Sequence, residues 1–167
     1  GDNPADLILE NCSLINVYTN EIQEKIQISI KNDRIAFVGI DASHTRGPKT
    51  KVLDVKNKYV CPSFVDPHIH IDHFLTPAEF VKKSLLCGVT SLFPDSIDIV
   101  SVCGYRGFKE FLRQTENLPM RFFHTLPGGL PVDRKFSHGK TLSIEEEKNA
   151  IGLRSVVALG EVFSWTK

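Results

Sequence analysis

The chain has 167 residues, of which 41% are hydrophobic and 24% are charged, and its 20 basic side chains balance its 20 acidic ones. This composition is typical of an ordinary soluble globular protein, and the zero net charge argues against a nucleic-acid or membrane-surface partner, because both usually leave a basic excess in the sequence. We therefore predict a small-molecule substrate, with no nucleic acid and no membrane as partner.

The first third of the chain consists of short runs in which apolar and polar residues alternate. A period of two predicts strands with one buried face, here at residues 7–9, 25–30, 34–38 and 52–55. The dipeptide Asn32-Asp33 predicts a tight hairpin turn, because Asn and Asp tolerate left-handed backbone angles. We therefore predict a small all-β unit that ends near residue 62.

From residue 63 onward, strand-like runs alternate with helix-like ones. Helix starts are predicted at Thr76-Pro77-Ala78-Glu79 and at Ser143-Ile144-Glu145-Glu146, where a hydroxyl and a glutamate three residues later form a capping box. A further helix includes residues 108–112, and strands are predicted at 89–93, 121–126 and 155–163. Alternation of this kind predicts parallel strands with crossover helices, in a (β/α) barrel or in an open doubly wound sheet.

A pair of histidines, His68 and His70, lies at the end of the first predicted strand of this second part. Residues separated by one position on a strand face the same side, so both imidazoles can reach one cation. In parallel barrels the reactive groups also lie at the C-terminal ends of strands. A His-x-His pair alone is a weak signal, because such a pair more often consists of ordinary surface or core histidines.

The surrounding sequence resembles the entry to the barrel of the amidohydrolase superfamily, and within that superfamily the adenine deaminases. The similarity is carried by residues 5–12, 52–55, 58–70, 75–80 and 158–162. It implies an α/β fold in which residues 1–62 form part of a small β-sandwich. Residues 63–167 would then form strands one to four of a (β/α)8 TIM-type barrel.

The resemblance also implies a chemistry, in which two divalent metal ions activate a water that attacks C6 of adenine and releases ammonia and hypoxanthine. Manganese or iron is favoured over zinc. The family's ligands fall on His68 and His70 in the first strand and on Glu161 in the fourth, where a carboxylate bridges the two metals. Glu161 ends an apolar strand, where a carboxylate needs a cation to offset its desolvation, although a solvated glutamate is the alternative.

One departure from the family concerns the loop after the second barrel strand. Adenine deaminases carry Asp-Pro-His-Glu there, whereas this chain reads Asp95-Ser96-Ile97-Asp98. Asp95 and Asp98 are candidate catalytic residues, with helix capping as the alternative for either one. Three hypotheses therefore stay open. The protein acts on adenine, it acts on another cyclic amide or amidine, or it is a catalytically silent relative used for binding or assembly.

Three other polar residues have two readings each. Asp66 either orients a ligand histidine or lies in a turn, because metal-bound imidazoles usually donate their second N–H to a carboxylate or a carbonyl. Asp72 and His73 either face the pocket or cap the next loop. His124 lies within a predicted strand and is expected to be a packed core residue.

Length and cysteine content complete the expectations. A (β/α)8 barrel needs typically about 250 residues, so four strands predict an inactive fragment of a longer enzyme, produced by truncation or proteolysis, or a chain that pairs with another copy. We expect a homo-oligomer.

The N-terminus is polar, and the four cysteines lie among apolar neighbours without a Cys-x-x-Cys pair. These features predict reduced, packed thiols and a cytoplasmic location.

Overall fold

The computed structural model describes residues 3–130 and 139–163. By its internal contacts the chain divides into two compact units, Gly1–Pro62 and Ser63–Lys167. In the part of the chain that the structure describes, no helix combines the length and the apolar character that crossing a bilayer requires.

The first unit is a single mixed sheet of five strands. These are β1 (Leu7–Asn16), β2 (Glu21–Lys31), β3 (Arg34–Gly39), β4 (Lys51–Asp54) and β5 (Tyr59–Val60). β1, β2 and β3 form an antiparallel meander, and β1 also pairs with β4 and β5 in parallel. The predicted hairpin is confirmed: Asn32 has a φ of 52°, as a tight turn between β2 and β3 requires. Cys12, Ile26 and Ile28 form one of its buried clusters.

The second unit alternates strands and helices, as predicted. Its elements are β6 (Phe64–Ile69), α1 (Pro77–Leu86), β7 (Val89–Pro94), α2 (Ile97–Thr115), β8 (Arg121–Phe122), β9 (His124–Gly128), α3 (Ile144–Ile151) and β10 (Val156–Val162). The strand pairs among its described residues are all parallel: β6 with β7, β7 with β8, and β9 with β10.

The third predicted strand of this unit is interrupted at Phe123. Its first part, β8, pairs with β7, and its second part, β9, pairs with β10. The Phe123 amide still donates to the Leu92 carbonyl at 2.9 Å, and Asp95 and Thr125 form an isolated parallel bridge. The four barrel-type strands therefore lie side by side in chain order.

Local chemistry explains where the helices begin. The Thr76 hydroxyl accepts a hydrogen bond from the Glu79 amide, and Pro77 occupies the first turn of α1. At α3 the predicted capping box is complete, with the Glu146 amide donating to Ser143 Oγ at 3.2 Å and the Ser143 amide donating to Glu146 Oε2 at 2.8 Å.

The core of the second unit lies between the strands and the helices. Leu92, Phe108 and Leu126 are completely or almost completely buried there. Ile69 packs against the same side of the sheet, in the cluster that contains Leu92. Because successive side chains of a strand point to opposite faces, the neighbouring His68 and His70 must face away from the helices.

The prediction that all four cysteines are packed is wrong for three of them. Cys12 is buried, whereas Cys61, Cys87 and Cys103 are exposed, and all four are free thiols. Apolar neighbours in the sequence do not determine which face of a strand or helix a side chain occupies. Cys87, for example, lies at the C-terminal end of α1, past the residues that pack.

Candidate metal centre

The side chains of His68 and His70 project from the C-terminal end of β6, and their Nε2 atoms face each other. Their Nε2 atoms are 3.1 Å apart, and the ring planes are nearly perpendicular. The His70 side chain is 22% exposed and that of His68 is 46% exposed. The pair is therefore accessible from the face of the sheet that carries no helices.

Glu161, near the end of β10, completes a group of three donors. One carboxylate oxygen lies 3.4 Å from His70 Nε2, and the other lies 3.7 Å from His68 Nε2. In the described residues these three side chains form the one His/Cys/Asp/Glu group compact enough to hold a metal ion, with ligand atoms within 4.8 Å of one another. The structure thus brings together the three residues that the sequence predicts as ligands.

The hydrogen bonding of His70 assigns its tautomer. Its Nδ1 lies 2.8 Å from the Asp95 backbone carbonyl, which can only accept, so Nδ1 carries the proton. In the neutral ring Nε2 then presents a lone pair towards the Glu161 carboxylate, another acceptor. Two facing acceptors need a proton or a cation between them, and a metal-binding imidazole has this tautomer and this type of second partner.

The spacing of the donors fits a single first-row cation. Ligand atoms about 2.0–2.1 Å from a tetrahedral ion are ~3.3–3.4 Å from one another. The three observed separations, 3.1, 3.4 and 3.7 Å, bracket that value. Because each oxygen of Glu161 faces a different histidine, the carboxylate can also be shared between two ions.

Asp95 lies directly behind these donors and is fully buried. Its Oδ2 accepts a hydrogen bond from the Glu161 amide at 2.6 Å, while its Oδ1 has no partner among the described residues. Burial raises the pKa of Asp95 above its usual value, and the bond from the Glu161 amide opposes that shift. The catalytic role that the sequence suggests for Asp95 stays a prediction.

His73 and Asp98 form a second polar pair close to the donors. His73 Nε2 lies 2.9 Å from Asp98 Oδ2, and the His73 ring stacks on the ring of His70 with centroids 4.9 Å apart. Both side chains are partly exposed. The predicted catalytic role of Asp98 stays open, and the structure places its carboxylate on an imidazole beside the candidate ligands.

Asp72 and Asp66 have structural partners. Asp72 Oδ2 accepts from the Ile99 amide at 2.9 Å, so it caps the first turn of α2 in place of Ser96, whose side chain makes no cap. Asp66 Oδ1 accepts from the His68 amide at 3.3 Å. The ligand-orienting role considered for Asp66 is filled at His70 by the Asp95 carbonyl.

Gly160 is part of the site, although its contribution is invisible in the sequence. A Cβ at this position would overlap the Asp95 carboxylate and would lie 2.8 Å from Thr125 Oγ1. A glycine next to Glu161 lets Asp95 approach the β10 backbone. No local pattern signals this requirement, because the two residues meet only when β10 lies beside β9.

Comparison with known proteins yields a consistent group of relatives. An adenine deaminase of Cenarchaeum symbiosum is 57% identical over 166 residues, which are 99% of this chain and 27% of that protein. Adenine deaminases of Staphylothermus marinus and of Ruegeria sp. TM1040 are 36% and 34% identical, again over 99% of this chain and 28% of theirs. The chain thus spans little more than a quarter of these relatives. No family model matches it.

Solved structures with low sequence identity share the fold. A β-aspartyl dipeptidase of Fervidobacterium islandicum superposes with a TM-score of 0.63 at 16% identity, over 93% of this chain and 40% of that one. A D-hydantoinase of Thermus sp. gives 0.60 at 20% identity, over 87% and 31%. They confirm the predicted α/β class, with a β-sandwich segment before a partial (β/α)8 barrel. The chain is therefore homologous to one portion of the proteins of the adenine deaminase family, and it has part of the amidohydrolase fold.

Proposed function

We propose that the intact protein to which this chain belongs is a metal-dependent hydrolase that converts adenine and water to hypoxanthine and ammonia. The observation that carries the proposal is the group of His68, His70 and Glu161, whose ligand atoms lie within 4.8 Å of one another. These residues are at the C-terminal ends of parallel strands, where (β/α) barrels hold their reactive groups. The 57% identity to a protein named adenine deaminase supports the choice of substrate.

In this proposal His68, His70 and Glu161 would hold a divalent cation, and Glu161 would also contribute to the binding of a second one. Manganese or iron is favoured over zinc. The cations supply the positive charge that makes water a competent nucleophile at neutral pH. The chain's own contribution is orientation, because the Asp95 carbonyl holds the His70 ring by its Nδ1 and so directs Nε2 into the site.

The proposal includes the organisation of the chain. Residues 1–62 are the β-sandwich segment, residues 63–167 are strands one to four of the barrel, and the division of the internal contacts at Pro62 supports this boundary. The 167 residues alone are expected to be inactive. A homo-oligomer and a cytoplasmic location remain part of the prediction.

The test uses the intact protein supplied with Mn²⁺, with ammonia and hypoxanthine measured after adenine is added. We expect turnover, and we expect His68→Gln to reduce it by more than about 100-fold because it removes a metal ligand. His44→Gln is the matched control, since His44 lies in the first unit and packs on the edge of Phe37. Equal activities of the two variants would contradict the proposed ligand role of His68.

A second candidate keeps the metal centre and changes the substrate to another cyclic amide or amidine. It is favoured by the stretch from Asp95 to Asp98, which differs from the family's Asp-Pro-His-Glu and places Asp98 on His73. Hydrolysis of a hydantoin without any turnover of adenine would select it. A protein that holds no metal even when intact would be a catalytically silent relative.

A further inference from the structure

We propose that Asp95 is the positioning residue of the metal centre and sets the geometry of two of the three donors through two different atoms. This inference rests on the proposed metal site. It goes beyond the ligand assignment, because Asp95 is fully buried and is not one of the three grouped donors.

The first contact acts on His70. The Asp95 carbonyl accepts the Nδ1 proton of that ring at 2.8 Å, which fixes both the tautomer and the ring plane. The Asp95 amide in turn donates to the Ile69 carbonyl at 2.9 Å. The backbone of Asp95 is therefore tied to β6 immediately before the ligand that it orients.

The second contact acts on Glu161. Asp95 Oδ2 accepts the Glu161 amide at 2.6 Å, across 66 residues of sequence. Holding this amide fixes the backbone from which the Glu161 side chain projects. One residue thus joins the end of β6 to the end of β10, and the three donors lie in these two strands or, for His70, directly after β6.

The surroundings of Asp95 show that this contact is demanding. Burying a carboxylate costs free energy, and Asp95 Oδ1 has no hydrogen-bond partner among the described residues that would offset this cost. Gly160 leaves room for this carboxylate, because a Cβ at position 160 would overlap with it. The glycine at position 160 and the hydrogen-bond acceptor at position 95 therefore belong to the same contact.

The experiment compares Asp95→Leu with Asp95→Asn in the intact protein. Leucine has nearly the shape of aspartate but no acceptor, whereas asparagine keeps one oxygen for the Glu161 amide. Isothermal titration of metal-free protein with Mn²⁺ should show Kd raised 10- to 100-fold, to order of magnitude, in Asp95→Leu. In Asp95→Asn the change should stay within about threefold, since a hydrogen bond to the amide is retained.

A second measurement separates positioning from folding and from metal binding. Hydrogen exchange of the metal-free protein should show a slow Glu161 amide in the wild type and in Asp95→Asn, and a fast one in Asp95→Leu, with similar melting temperatures. Gly160→Ala, which leaves Asp95 in the chain, should reproduce the effects of Asp95→Leu. Its matched control is Gly152→Ala, because Gly152 has a φ of −78° and a Cβ there would make only ordinary contacts at 3.5 Å.

The outcomes are distinguishable. If the wild type binds Mn²⁺ and Asp95→Leu binds it equally well, the positioning role is overturned and the proposed function stands. A different result is that the wild type binds no Mn²⁺, while the Glu161 amide exchanges slowly in the wild type and in Asp95→Asn but fast in Asp95→Leu. That result would support the contact and would overturn the proposed metal site. Slow exchange of that amide in Asp95→Leu would overturn the inference directly.

Discussion

Acid should destabilise the second unit through one buried histidine, His124. This side chain is 1% exposed, and its Nε2 lies 2.9 Å from Thr115 Oγ1. The Thr115 hydroxyl donates to the Leu112 carbonyl at 2.7 Å, so it can only accept from His124, which must carry its proton on Nε2. Among the described residues the buried Nδ1 has no hydrogen-bond partner, so a second proton there would find no acceptor within them.

Burial accordingly lowers the pKa of His124 from 6.5 to about 4. The unfolded chain takes up this proton below pH 6.5, whereas the folded chain resists it until pH 4 is approached. The residue therefore leaves stability unchanged above pH 6.5 and reduces it as the pH falls from 6.5 to about 4. Linkage puts the loss at about 3 kcal/mol at the low-pH limit, and most of this loss is reached by pH 4.5.

The assay is urea denaturation at pH 7.5 and pH 4.5, for the wild type and for His124→Gln. Glutamine keeps a neutral donor near Thr115 but does not titrate, so between the two pH values the variant should lose roughly 2–3 kcal/mol less unfolding free energy than the wild type. His44→Gln serves as the control for a histidine of the first unit. A His124 ring that titrates near 6.5 in NMR, or equal pH dependence of wild type and His124→Gln, would refute the reasoning.

Two further predictions concern stability. Phe108→Ala should cost about 3–5 kcal/mol of unfolding free energy, because Phe108 is fully buried between the helices and the sheet. The control is Val102→Ala on the same helix, where the side chain is 69% exposed, and it should change the unfolding free energy by less than about 0.5 kcal/mol. Similar values for both variants would contradict the described core. Ser143→Ala should cost about 1 kcal/mol by removing the capping box of α3; Thr141→Ala, two residues earlier, is the control, and chemical denaturation measures both.

Much of the fold could be predicted because its signals are local. The turn at Asn32, the cap at Thr76 and the capping box at Ser143 each depend on contacts within four residues, and all are present in the structure. The interruption at Phe123 could not be predicted, because it reflects a change of pairing partner from β7 to β10. The exposure of Cys87 and Cys103 could not be predicted either, since apolar neighbours in sequence do not specify the buried face.

By itself, the sequence determined that His68 and His70 share one face of a strand, because side chains alternate along any extended chain. It also placed Glu161 at the end of an apolar strand. Only the tertiary structure decided that Glu161 reaches both imidazoles and that Asp95, 66 residues before it, holds its amide. The physical reason is that these contacts cross from β6 to β10, and their geometry depends on how the parallel strands pack side by side.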